Sequence, residues 1–137
     1  MATYSETKVL DALFARLSAL TFSPALPIAW PNEAFTPPAD RKWLQVNDIP
    51  AATTPFSLSG GTSEYVGLMQ VDVFRPLDEG HKPARETAGK ITDHFRPPLL
   101  LSSEGLKVKI TQASAGPAMQ DGDAIKIPVT IRYRCFF

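Results

Sequence analysis

The chain reads as a single α+β domain over residues 1–137. The expected architecture is a mostly antiparallel sheet of about four to five strands with two helices packed on one face, in the order α-β-β-β-α-β-β. Three observations predict it. Two segments, one near the start and one past the middle, carry apolar residues at helical spacing. Other segments alternate with a period of two, the longest being Glu64–Pro76 and Ala124–Phe136. The 13 prolines exceed the roughly 5% of average usage, and most fall between these segments.

The first helix is expected over Thr3–Leu20. Thr3-Tyr4-Ser5-Glu6 has capping-box spacing, and Val9, Leu10, Leu13, Phe14, Leu17 and Leu20 form one apolar face. Ile28–Trp30 is a short strand, followed by a proline-punctuated loop to Pro38 in which Trp30 and Phe35 cover a core edge or meet a neighbour. Trp43–Ile49 is the second strand, with Leu44 and Val46 inward. Ala51–Ser63 mixes Ala, Thr, Ser and a Gly-Gly pair, and reads as a flexible loop or as a hairpin turning at Gly60-Gly61.

Glu64–Pro76 is the central strand, with Met69, Val71 and Val73 on its buried side and Leu68, Gln70 and Asp72 opposite. Within Leu77–Phe95, Pro83 suits a first helical turn, Ala84, Thr87, Ala88, Ile91 and Phe95 share a face, and Pro97-Pro98 ends the helix. Leu106–Thr111 alternates, and Ser114–Asp123 is a turn region. In the last strand Ile125 to Cys135 at every second position face inward. Pro128 within it argues for a sheet edge or a kink, because proline cannot donate to a ladder.

With 14 basic and 14 acidic residues, the chain has no global field to draw in nucleic acid or an anionic membrane. No stretch approaches the ~20 apolar residues of a membrane span, and the N-terminus lacks a signal-peptide pattern. The single cysteine, Cys135, has no intrachain partner and reads as a packed thiol. His81 and His94 lie in no metal-binding pattern and read as surface histidines. Asp72 reads as a cross-strand ion-pair carboxylate. Lys107, Lys109, Lys126, Arg132 and Arg134 project from one sheet face without interleaved aromatics before Phe136. No catalytic, cofactor-binding or metal site is expected, and the chain does not read as an enzyme.

Several segments, in order, carry a resemblance. They are Ala15-Arg16-Leu17, then Ile28-Ala29-Trp30-Pro31-Asn32 with Phe35-Thr36-Pro37-Pro38, and then Trp43-Leu44-Gln45-Val46. Gly67-Leu68-Met69-Gln70-Val71-Asp72-Val73-Phe74 and Ile127-Pro128-Val129-Thr130-Ile131-Arg132-Tyr133 complete the set. Over nearly its full length the chain resembles the tail terminator, or tail-completion, proteins of long-tailed bacteriophages and prophages. That resemblance implies a structural protein, made in the host cytoplasm, that forms a ring, usually a hexamer, at the head-proximal end of the tail. The ring caps the tube of major tail protein, stops its growth and presents a surface to the head connector. DNA only passes through its lumen.

Within that picture Phe56 and Leu58, apolar residues in the long loop, are candidates for axial docking. Trp30, Phe35, Pro128 and Arg132 are candidates for lateral contacts. The competing readings are another neck or head–tail joining protein and a small-ligand-binding regulatory α+β module.

Overall fold

The computed structural model describes residues 5–22, 25–50, 54–55 and 63–136. In chain order the elements are α1 (Ser5–Ser18), β1 (Ile28–Ala29), β2 (Trp43–Pro50), β3 (Thr54–Pro55), β4 (Ser63–Pro76), α2 (Lys82–His94), β5 (Leu99–Ser103), β6 (Leu106–Ala115), β7 (Met119–Asp121) and β8 (Ala124–Phe136). The sheet runs β1-β2-β4-β8-β6-β5, with β3 beside β4 and β7 beside β8. The α+β class holds. The expected count of four to five strands is too low, and the sheet is mixed, because β1 runs parallel to β2.

The long alternating segments behave as their period requires. β4 and β8 pair along their lengths, from Glu64↔Phe136 to Pro76↔Ala124. This pairing brings Met69, Val71 and Val73 beside Ile131, Val129 and Ile127, all fully buried. Leu44 and Val46 of β2 extend the layer on one side, and Val108 and Ile110 of β6 extend it on the other. Both helices cover this same face. Val9, Leu13 and Leu17 of α1, Ala88 and Ile91 of α2, and Phe95 just after α2 join one core with those strands. Burying each large aliphatic side chain contributes about 1.5–3 kcal/mol, and most of the fold's driving force lies in this layer.

The helix ends lock to one another. The Arg16 guanidinium donates from Nε and Nη2 to the backbone oxygen of His94, at 3.2 and 2.8 Å. The His94 ring donates from Nε2 to the Arg16 oxygen at 2.7 Å. A cation thus sits at the C-terminal end of α2, where unsatisfied carbonyls favour positive charge. The expectation of a surface histidine is corrected for His94, which is half-buried in this clasp.

Other expectations change for local reasons. β5 follows Pro97-Pro98 directly and reads Leu-Leu-Leu-Ser-Ser, so it shows no alternation. β7 is a three-residue strand inside the expected turn region. β6 runs on to Ala115 through a bulge between Ile110 and Gln112, which shifts the helix-side positions from Val108 and Ile110 to Ala113, half-buried, and Ala115, already exposed. Pro128 lies in β8, between β4 and β6, and not at an outer edge of the sheet. Its oxygen accepts from Gly116 N at 2.8 Å just where β6 ends, so its missing N–H faces the gap between β6 and β7. Thr3 lies outside the described residues, so the expected capping box is not seen.

Gly67 is the strand position that only glycine fills. A Cβ there would stand 2.7 Å from Tyr133 Oη, 2.8 Å from Pro50 Cα and 2.9 Å from Ile49 O. The Tyr133 side chain therefore passes over β4 where β4 has no side chain. Its ring meets Tyr65 with centroids 6.1 Å apart. Burial first, and then the neighbouring Tyr65 phenol, push the Tyr133 hydroxyl far above the ordinary tyrosine range, and burial raises Tyr65 as well.

Candidate interaction surfaces

With the helices on one face, the sheet's other face is not covered by a helix and is one surface open to contact. Its side chains come from Trp43, Gln45, Asn47 and Ile49 of β2, and from Val66 to Phe74 of β4 at even positions. Lys126, Pro128, Thr130, Arg132 and Arg134 of β8 complete it. The two ends of this face differ.

At the Trp43 end the chain covers itself. Trp43 stacks on Phe74 with centroids 4.2 Å apart and planes 4° apart, and Phe35 packs on Trp43 at 5.0 Å. Trp30 packs instead on Phe14 of α1, at 5.0 Å. The Trp30–Phe35 segment therefore passes from the helix-covered side to the open side and wraps the β1–β2 edge. Asn32 at φ 56° makes the turn, in a region asparagine tolerates. Arg41 pairs with Asp123 at 2.6 Å, tying the end of this loop to the β7–β8 hairpin.

In the middle, Asp72 is only 4% exposed and accepts from Gln70 Nε2 at 2.9 Å. The expected cross-strand ion pair is absent among the described residues. The residues beside Asp72 on the neighbouring strands are Gln45 and Pro128, neither of them charged.

At the Ile49 end nothing among the described residues covers the face. Ile49, Val66, Leu68, Arg132, Tyr133 and Arg134 are among the residues that line a groove of about 530 Å³. β2 and β4 lead from this end to the residues that include Phe56 and Leu58, both outside the described residues. The sheet also has two unlike outer edges. β1 carries the aromatic loop, and β5 carries Leu100, which is 56% exposed.

Of the site residues expected from sequence, Arg132 is exposed on the open face, between Leu68 and Gln112. Trp30, Phe35 and Pro128 are half-buried, and both rings already have partners inside the chain. The structure does not bring these four into one patch. Ile49 and Leu100 were missed. Ile49 looks like the last residue of an ordinary strand, and Leu100 belongs to the strand with no alternation. The described residues contain no cluster of three metal-ligating side chains. His81 is the exposed residue before α2 and makes no side-chain cap. Cys135 is buried, which raises its thiol pKa.

Comparison with known proteins gives these surfaces a context. One solved chain of no stated function is 32% identical and superposes with a TM-score of 0.84 over 98% of both chains. A chain in the virion of a native gene transfer agent particle is 15% identical, with a TM-score of 0.68 over 98% of this chain and 100% of that one. At that identity the likeness is one of fold. No curated protein matches. The family model described as phage tail terminator protein matches residues 8–133, which include nearly all of both helices and the sheet. The chain therefore belongs to the phage tail terminator family, with a structural role in a phage tail and a place in the virion.

Proposed function

We propose that this chain ends growth of the tail tube. Copies close into a ring, a hexamer, that sits on the last ring of tube protein and offers its far side to the head connector. The carrying observation is the family match over residues 8–133. The geometry supports it in one respect. A closed ring is a head-to-tail assembly, so two different patches of one subunit must fit each other. The β1 edge with its aromatic loop and the backbone edge of β5 are two such unlike patches at opposite ends of one sheet. In this reading the protein performs no bond chemistry and needs no cofactor. DNA crosses the lumen without being held, and the ring occupies the head-proximal end of the tail.

The gene transfer agent virion chain of the same fold is consistent with a place in a particle. Electron microscopy of tube protein polymerising with and without this chain tests the reading. Tubes stop growing, and an end ring appears, if it is correct. Tubes of uncontrolled length in its presence contradict it.

A further inference from the structure

The Ile49 end of the open face carries more charge and more exposed apolar surface than the fold uses. The strand register sets Leu100, Lys109, Arg134 and Val66 in one row across the sheet. The adjacent row is Gln112, Arg132, Leu68 and Ile49. Cations run down the middle and aliphatic side chains flank them.

Two independent features mark this strip. Lys109 stands directly opposite Arg134, a like-charge pair that weakens a sheet. Glu64 takes up Arg134, whereas no ion pair among the described residues engages Lys107, Lys109 or Arg132. A local conflict kept in an otherwise consistent sheet points to a use outside the chain. Secondly, Ile49 at 49% and Leu100 at 56% are two of the three exposed large apolar side chains among the described residues. Each borders a groove, of about 530 and 390 Å³ respectively, that is rimmed by Arg134 and its neighbours.

We propose that this strip docks a polypeptide partner bearing acidic and apolar side chains, and that the partner is the tail-tube protein at the open end of the tube. The proposal rests on the terminator reading. Acidic groups would pair with Lys109 and Arg132, since Glu64 already engages Arg134, and apolar groups would cover Leu100, Leu68 and Ile49. Nucleic acid suits the strip less well, because its flanks are aliphatic and Tyr133, the aromatic that borders its groove, is 2% exposed and offers no open ring for a base to stack on. The strip crosses five strands, from β5 to β2, and does not follow one edge, so it meets a partner as a face.

The test uses the full-length chain and tubes assembled from purified tube protein. Lys109→Glu puts a carboxylate opposite Arg134, so it raises the Tm of the isolated chain by about 1–4 °C. The same substitution, alone or with Arg132→Glu, weakens co-sedimentation with tubes by about tenfold or more. Lys82→Glu, on α2 and off this face, leaves binding unchanged. Wild-type binding also weakens as salt rises from about 0.05 to 0.5 M. Tube binding by the variants at the wild-type level, or a lower Tm for Lys109→Glu, overturns the strip and leaves the terminator reading standing. Failure of the wild type to bind tubes overturns both. Charge reversal that changes the chain's own oligomeric mass but not tube binding assigns the strip to a second copy and also overturns the proposal. Binding of a short duplex DNA through Lys109 and Arg132, with no binding of tubes, overturns it as well.

Discussion

The two ends of the open sheet face begin from similar material and finish differently. At the Trp43 end, an aromatic pair on adjacent strands is covered by Phe35 from the chain's own loop, and Arg41 closes the margin on Asp123. At the Ile49 end, aliphatic side chains on the same two strands line an open groove with Arg132 and Arg134, and Ile49 is 49% exposed among the described residues. Covered apolar surface contributes to folding, and uncovered apolar surface on a folded chain is available for a partner. Among the described residues, one face therefore divides into a part that the chain covers itself and a part that we propose is used in assembly.

This contrast can be broken at several points, the most damaging first. Trp43→Ala empties the stack between Phe35 and Phe74 and should cost about 2–3 kcal/mol, a Trp-to-Ala loss reduced by its partial exposure. Urea unfolding measures this, and a loss below about 0.5 kcal/mol would show that the covered end does not hold the fold.

Gly67→Ala comes next, at about 1–3 kcal/mol. The new methyl meets the Pro50 and Ile49 backbone, which cannot move as the end of a flexible side chain can. A neutral result in the same unfolding experiment would mean that β2 and β4 are not held this closely where the face opens.

A pH series sharpens the picture on the helix-covered side. Tyr133 and Tyr65 have raised folded-state values, so their neutral forms favour the folded chain. Their contribution is complete below pH 10, the ordinary tyrosine value, and is lost as pH rises through the higher folded values. The unfolding free energy should fall above pH 10 by at most about 1.4 kcal/mol per pH unit for each tyrosine. Tyr133→Phe should flatten that limb and leave stability at pH 7 nearly unchanged. An equally steep limb in the variant would remove Tyr133 as its source.

Ile49→Ala is expected to have the smallest effect, under about 0.5 kcal/mol, because the side chain is half in solvent already. A cost near that of Trp43→Ala would mean that the Ile49 end is also part of the folding core.

How much of this was legible in the sequence depends on range. Alternation in Glu64–Pro76 and Ala124–Phe136 located the central pair of strands and their buried sides, and helical spacing located α1 and α2. The ordered segments from Ala15-Arg16-Leu17 to Tyr133 pointed to the family that the match over residues 8–133 establishes. β5 escaped because three consecutive leucines have no period, and β7 because three residues are too few to show one. Pro128 suggested a sheet edge or a kink, since a missing N–H is normally placed at one or the other. The chain instead puts it beside a local gap within the sheet.

The opposition of Lys109 and Arg134 is a matter of register, set by the bulge after Ile110, and side-chain alternation alone does not show it. The Arg16–His94 clasp joins groups 78 residues apart, which is tertiary information. Arg132 was selected as a lone outward cation. Only the register places it beside Leu68, one row from Lys109.

The central claim is that this fold ends tube growth. Its most direct test is the length distribution of tubes polymerised from purified tube protein, measured by electron microscopy with and without this chain at equal tube-protein concentration. Tubes are predicted to stop lengthening and to show a ring at one end when the chain is present. Equal length distributions, with bare ends in both, would contradict the claim.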